Sequence, residues 1–160
     1  MRILGLIFDP NMNNTVIVLL DPEGERVLPI WIGVMEGNAI ALGMEKVPTP
    51  RPMTHDLLKN MLEEFKVEVE KVVVTELKED TFYALIYLKV NGEEVQVDSR
   101  PSDAIALAVR TEAPIYCTEE VLKVAEDLGI LKEKKDVEGS SEFDRWLKEL
   151  GPDVFGKYKM

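Results

Sequence analysis

The segment from Asp98 to Arg110 concentrates side chains that can do chemistry. A strand pattern ends at Asp98, the polar turn Ser99-Arg100-Pro101 follows, and an alanine-rich helix begins at Ser102. Backbone amides at a helix N-terminus lack intrahelical acceptors, and the helix dipole favours negative charge there. The sequence therefore predicts a corner that can hold a phosphate or, through Asp98 and Asp103, a metal ion.

The same residues also have a purely structural interpretation. Ser102 would cap the helix, Asp103 would complement its dipole, and Arg100 would pair with Asp98 or Asp103. Composition and spacing leave both interpretations open.

The segment Arg51-Pro52-Met53-Thr54-His55-Asp56 also leads into a predicted helix and contains the only histidine of the chain. His55 can act as a general acid or base near neutral pH, or ligate a metal together with Asp56 or a distant carboxylate. The structural alternative is a first-turn histidine that is exposed or hydrogen-bonded.

A metal site, if there is one, has to be built from carboxylates. A single histidine and a single cysteine in different segments make a zinc site of Cys and His ligands implausible. Carboxylate ligands favour Mg²⁺ or Mn²⁺. The chain has no phosphate loop, no glycine-rich dinucleotide fingerprint and no serine elbow, so we predict no organic cofactor.

The segment Leu28-Pro29-Ile30-Trp31-Ile32-Gly33, followed by Glu36, is a weaker candidate. Trp31 between two isoleucines predicts a core or subunit-interface position. Glu36 predicts a first-turn carboxylate that complements a helix dipole.

Size and charge limit the function classes. At 160 residues and 18.1 kDa the chain fits one domain with one core. Its net charge of −11 opposes the long-range attraction of phosphates on which nucleic-acid binders depend. Any action on nucleic acid therefore requires a local basic patch or a bound metal ion.

Several features predict a cytoplasmic protein without a membrane span. No apolar run approaches the roughly 20 residues that cross a bilayer, and the first nine residues predict a strand, not an export signal. The lone Cys117 lies in an apolar run, which predicts a buried, inert thiol. One glutamine among abundant Glu and Lys weakly indicates a heat-adapted source.

The elements that must position these residues begin with three β-rich segments, Arg2 to Phe8, Thr15 to Leu20 and Arg26 to Ile32, of which at least two are antiparallel neighbours. A short helix is predicted from Glu36 to Glu45. Thr54 is predicted to cap a second helix, with one buried face formed by Leu57, Leu58, Met61, Leu62 and Phe65.

An antiparallel meander follows, with strands at Val67 to Leu77, Phe82 to Val90 and Glu94 to Val97, the last two joined by the hairpin pair Asn91-Gly92. After it come a helix from Ser102 to about Thr111, a strand from Ile115 to Cys117, and a helix that Thr118 caps and Gly129 ends. The predicted fold class is α+β, or mixed α/β: one compact domain in which a mostly antiparallel or mixed sheet packs with several helices.

The predicted domain covers residues 1–130, and residues 131–160 are predicted to form a charged linker and a helical tail. The linker is Lys132 to Asp136. The tail helix starts near Ser141, ends at Gly151-Pro152, and is predicted to dock on the body or on a partner subunit. Interface candidates are Trp31, Trp146 and Phe155.

Together with Thr81-Phe82-Tyr83-Ala84, the three segments around Trp31, His55 and Asp98 resemble the bifunctional nuclease domain family in order and spacing. The resemblance covers about residues 1 to 130, and the run Phe143 to Phe155 looks like the tail of bacterial members. It implies a mixed α/β domain, often a homodimer, with nuclease activity on RNA and DNA in some plant members. The polar positions that match the family are His55, Asp56, Asp98, Arg100, Ser102 and Asp103; Ser99, often alanine in relatives, departs from it.

Two hypotheses from different classes follow. In the first, the chain is a metal-assisted nuclease: Asp98 and Asp103 hold the ion, His55 moves protons, and Arg100 and Arg51 stabilise charge on the phosphoryl oxygens. Asp56 is a further catalytic candidate. The candidates for substrate contact are Arg51, Ser102 and Arg110. In the second, the chain is a non-catalytic homodimeric module that binds a small anion or a protein partner. If their use is strictly structural, Asp98, Arg100 and Asp103 are expected to pair with each other or with backbone amides, with no accessible cleft beside them.

Overall fold

The N-terminal segments form a sheet of three long antiparallel strands, as predicted. The computed structural model describes residues 1–9 and 13–133. In it β1 (Arg2–Asp9), β2 (Asn14–Leu20) and β3 (Arg26–Gly33) lie side by side in that order. A two-residue strand that pairs with β3 starts the predicted linker, so Lys132 and Glu133 belong to this sheet.

The second sheet is a meander with one added parallel strand. β4 (Glu68–Lys78), β5 (Thr81–Val90) and β6 (Glu93–Ser99) pair antiparallel, which confirms the predicted meander. Asn91 and Gly92 have φ of 52° and 88°, and two successive positive φ values are what a tight hairpin turn requires. β7 (Ile115–Cys117) pairs parallel with β4, so the sheet is mixed. The two-residue strand that pairs with β3 in the first sheet is β8 (Lys132–Glu133).

Four helices complete the α+β domain: α1 (Val34–Met44), α2 (Thr54–Glu64), α3 (Pro101–Thr111) and α4 (Glu119–Asp127). α3 is central, because it packs against α1, α2, β4 and β5. Its small side chains permit this close packing on several sides. The predicted ends of α4 are confirmed: the Thr118 hydroxyl accepts a hydrogen bond from Val121 N, and Gly129 follows the helix with φ of 71°.

One core cluster includes residues of both sheets and of α1, α3 and α4. Trp31 is 2% exposed, so it is a core residue and the alternative of an interface position is wrong for this side chain. Burial raises the pKa of the Cys117 thiol to about 12, which fits the predicted inert thiol. In the described part of the chain, no helix is long and apolar enough to cross a membrane.

The predicted buried face of α2 is wrong except at Leu62, which is partly buried and packs against the core. No residue of α2 is buried, and Leu57, Met61 and Phe65 are 53%, 50% and 72% exposed. The helix instead turns the side that bears His55 and Asp56 towards α3, because both side chains bind charged partners there. These polar contacts, together with the packing of Leu62 on the core, set the orientation of α2.

The rest of the predicted linker and tail lies outside the described residues. This includes the helix near Ser141 and the interface candidates Trp146 and Phe155.

Candidate active site

Three helices begin near one another, and each brings a polar side chain in its first turn. These side chains are Glu36 of α1, His55 of α2 and Asp103 of α3, and Arg100 connects them. The negative charges of Glu36 and Asp103 are favourable near the positive, N-terminal end of a helix dipole. The convergence brings together residues that are 48 and 64 positions apart in sequence.

The start of α3 differs from the prediction by one residue. Pro101 occupies the first helical position, which suits its fixed φ, and Arg100 is the N-cap residue with extended backbone angles. Ser102 therefore does not cap the helix. It is 1% exposed, and no described residue bonds its buried hydroxyl, so it does not lie on a surface that substrate reaches.

Arg100 forms a fork with Asp103. Nε lies 2.7 Å from Oδ2 and Nη2 lies 3.1 Å from Oδ1, while Nη1 lies 3.1 Å from Oε1 of Glu36. The hydrogen bond to Asp103 is the main cause of a raised Arg100 pKa, so the guanidinium keeps its charge. These contacts use three of its five N–H groups and leave its side chain 50% exposed, so Arg100 can still donate to an anion.

His55 is held by the same carboxylate. Its Nε2 lies 3.0 Å from Asp103 Oδ1, and its side chain is 13% exposed. Burial acts to raise the pKa of Asp103, but hydrogen bonds from Arg100 and His55 outweigh it and the net pKa is lowered. Because the ionised carboxylate only accepts hydrogen bonds, Nε2 carries the proton. No described residue bonds Nδ1, so this nitrogen remains able to accept a proton.

Asp56 and Arg110 form a second, separate pair. Arg110 Nε donates to Asp56 Oδ1 at 2.6 Å and Nη1 donates to the Ala106 carbonyl at 2.8 Å, while Asp56 Oδ2 accepts from Met53 N at 2.9 Å. The Arg110 bond is the main cause of a lowered Asp56 pKa. The Arg110 side chain is only 6% exposed, so the pair fastens α2 to α3 and both predicted functional groups are already occupied.

Asp98 is not brought to the other site residues. It is exposed and lies opposite Leu85, whereas its neighbour Ser99 lies opposite the buried Ala84. Adjacent residues of a strand point to opposite faces, and residues opposite each other across two strands share a face. Asp98 therefore projects away from the buried face of the sheet, on which α3 packs.

Arg51 is exposed beside the start of α2, and no described residue forms an ion pair with it. Its backbone carbonyl accepts a hydrogen bond from the Thr49 hydroxyl at 2.8 Å. It is therefore a cation that a ligand phosphate can reach.

A metal ion shared by Asp98 and Asp103 does not fit this donor set. Both oxygens of Asp103 face the guanidinium of Arg100, and Asp98 points away. Among the described residues, no group of three or more His, Cys, Asp or Glu side chains is arranged to hold a metal ion.

Glu36 is the site residue that the sequence ranked too low. The available signal was its position: like His55 and Asp103, it lies in the first turn of a helix that follows an apolar strand or a proline. Only the packing of α1 against α3 shows that it bonds Arg100.

The sequence of this chain is similar to those of known proteins. A protein-family model, described as the bifunctional nuclease domain, matches residues 17–127 of this chain. The chain is 36% identical to an uncharacterized protein of Mycobacterium tuberculosis (strain ATCC 25618 / H37Rv) over 163 aligned residues, 96% of each chain.

Plant relatives match a shorter region. The chain is 32% identical to Bifunctional nuclease 1 of Oryza sativa subsp. indica over 112 residues, covering 67% of this chain and 33% of the plant protein. Identity with Bifunctional nuclease 1 of Arabidopsis thaliana is 35% over 103 residues, covering 62% of this chain and 32% of that protein. The similarity is thus to about one third of each plant protein.

Proposed function

Because this chain belongs to the bifunctional nuclease domain family, we propose that it hydrolyses phosphodiester bonds in RNA, DNA or both, with His55 as its proton-transfer group. The plant relatives, each named a bifunctional nuclease, support a nuclease function. The observation that carries the proposal is the Asp103–His55 hydrogen bond, which leaves Nδ1 without a partner among the described residues.

The proposed proton transfer follows from the His55 tautomer, in which Nε2 carries the proton and Nδ1 does not. Nδ1 of His55 accepts a proton from an attacking water while the water oxygen forms a bond to phosphorus. The bond from phosphorus to the leaving oxygen breaks, and solvent protonates that oxygen. Asp103 keeps the proton on Nε2 and stabilises the imidazolium that forms.

Positive charge near His55 supports a phosphate substrate. Arg100 has two N–H groups that its contacts with Asp103 and Glu36 leave unused, and Arg51 is exposed just before the helix that carries His55. Fixed donors of this kind stabilise negative charge that develops on phosphoryl oxygens. They are local exceptions to the acidic balance of the chain.

Assistance by Mg²⁺ or Mn²⁺ stays a prediction without an assigned site. Since Asp98 and Asp103 do not fit as a shared ligand pair, no step of the proposed reaction passes through a metal ion. Activity with each ion and with chelator tests the requirement directly.

The test compares cleavage of end-labelled single-stranded and double-stranded RNA and DNA by wild type, His55→Gln, Asp103→Asn and Glu119→Gln. Glu119 is the matched control, because it forms a two-bond pair with Arg26 on another part of the domain. We expect both site variants to lose about 100-fold or more in kcat, as removal of general acid–base catalysis does, while the control stays near wild type. Equal cleavage by all four proteins would attribute the activity to a contaminant.

The lone histidine permits a structural check that needs no activity. In ¹⁵N spectra of the imidazole, we expect the Nε2–H form in wild type and in Glu119→Gln, and loss of that preference in Asp103→Asn. An Nδ1–H tautomer in wild type would contradict the assignment of Nδ1 as the proton acceptor.

A second candidate function has one observation in its favour. The charged groups of Asp103 and Asp56 are paired with Arg100 and Arg110, as a non-catalytic module that binds a small anion or a protein partner would have them. Folded wild-type protein that cleaves none of the substrates, with or without either ion, but binds inorganic phosphate through Arg100 would favour that module.

A further inference from the structure

The outward side of α2 is apolar and uncovered. We define the outer face of α2 as Met53, Leu57, Leu58, Met61 and Phe65, which are 50%, 53%, 38%, 50% and 72% exposed. Amphipathic helices ordinarily turn their apolar side to the core, but this helix is oriented by its polar contacts to α3. A contiguous exposed apolar surface of this kind marks an interaction site.

Four of the five residues of the outer face lie symmetrically about the middle of the helix; the fifth, Leu58, has no apolar counterpart. Met53 and Phe65 are each six residues from position 59, and Leu57 and Met61 are each two residues from it. If an identical helix lies antiparallel across this face, Met53 of one copy meets the partner's Phe65, and Leu57 meets the partner's Met61. The first contact is a favourable thioether–aromatic pair, and the arrangement has the self-complementarity of a twofold interface.

Charge at the two ends of the face distinguishes a second copy from other partners. Arg51 precedes the helix and Glu64 ends it; both are exposed, and neither forms an ion pair with a described residue. Antiparallel packing brings Arg51 of each copy to the end that carries the partner's Glu64. Parallel packing would bring like charges together, which is unfavourable.

We propose that the outer face of α2 is the contact surface between two copies of this chain, packed antiparallel about a twofold axis near the helix midpoint. The net charge of −11 makes two copies repel each other in general, so association requires a surface such as this one, on which charge is sparse and complementary. The proposal does not rest on the proposed hydrolysis, but the two share Arg51, whose guanidinium would have to serve both the partner's Glu64 and a substrate phosphate.

Analytical ultracentrifugation of the full chain tests the surface. We expect a dimer for wild type and a dimer dissociation constant at least about 30-fold weaker for Leu57→Glu, the loss expected for one central interface residue. Leu128→Glu is the control, because Leu128 is 50% exposed at the end of α4 and should leave association unchanged. Circular dichroism checks that each variant is folded.

A monomeric wild type would overturn the proposal. A dimer that survives Leu57→Glu unchanged would also overturn it, since the contact would then lie elsewhere.

Charge reversal tests the antiparallel arrangement itself. Arg51→Glu and Glu64→Arg should each weaken association, because each places like charges at both ends of the interface. The double variant should recover most of the wild-type dissociation constant. Weakening by both single changes without recovery in the double variant would overturn the antiparallel pairing.

Discussion

At the scale of single residues, Asp103 connects the candidate site, since its carboxylate bonds both Arg100 and His55. An uncharged substitute would leave the Arg100 guanidinium with Glu36 as its one remaining counter-charge, and would remove the charged acceptor of His55. The position of Asp103 in the first turn of α3 adds support from the helix dipole. One side chain thereby fixes both the charge and the proton arrangement of the site.

Asp21 offers a residue-scale prediction on acid stability. It is 3% exposed and accepts hydrogen bonds from Glu25 N, Arg26 N and Arg26 Nε. Burial acts to raise its pKa, but these bonds outweigh it and the net pKa lies below the usual 3.8. Since the folded pKa is depressed, the ionised group stabilises the fold above about pH 4, and this stability is lost as pH falls through the folded pKa.

We therefore expect Asp21→Asn to lower the free energy of unfolding by about 1–3 kcal/mol at pH 7, measured by urea denaturation. The difference from wild type should shrink steadily below pH 4. A difference that stays constant down to pH 2 would contradict the assigned ionisation.

At the scale of elements, α3 packs against helices and strands on several sides because its neighbours can approach it closely. Gly43 of α1 lies against it: a Cβ added there would meet Arg110 Nη1 at 2.6 Å and Val109 Cγ2 at 2.7 Å. Arg110 cannot move aside freely, since it is held by Asp56 and by the Ala106 carbonyl. The glycine therefore makes room for the pair that fastens α2.

Gly43→Ala should destabilise the fold by about 1–2 kcal/mol. Overpacking costs about 1–3 kcal/mol, and the better helix propensity of alanine returns up to about 1 kcal/mol. Urea denaturation measures the change, and Gly5→Ala is the control because no atom lies within 4 Å of its added Cβ. A stabilised Gly43→Ala would mean that α1 and α3 are less closely packed than described.

At the scale of the whole molecule, the net negative charge opposes the approach of a polyanionic substrate. A chain of net charge −11 repels nucleic acid at long range, while Arg51 and Arg100 can neutralise about two phosphates locally. Added salt screens both effects, and they oppose each other.

The expected consequence is a shallow salt dependence. With two phosphate contacts to a single strand, log(1/KM) should fall with log[KCl] with a slope no steeper than about −1.4, and residual repulsion should make it shallower. Initial rates between 20 and 200 mM KCl measure it. A slope several times steeper would require more phosphate contacts than Arg51 and Arg100 supply.

The sequence by itself determined most of the elements, because strand and helix patterns depend on neighbours two to four residues away. The hairpin at Asn91-Gly92, the cap at Thr118 and the end at Gly129 are all signals of this local kind. The motifs around His55 and Asp98 likewise indicated the family from sequence alone.

Tertiary structure alone decided which of the candidate residues meet. Local pattern predicted that the apolar side of α2 is buried, but polar contacts to α3 turned that side outward. The sequence pattern ranked Asp98 with Asp103 as a metal ligand and ranked Glu36 too low. In the structure, strand alternation points Asp98 away, and α1 brings Glu36 to Arg100. These contacts join residues 48 or more positions apart, and their energies arise only when the helices pack, so no short-range pattern encodes them.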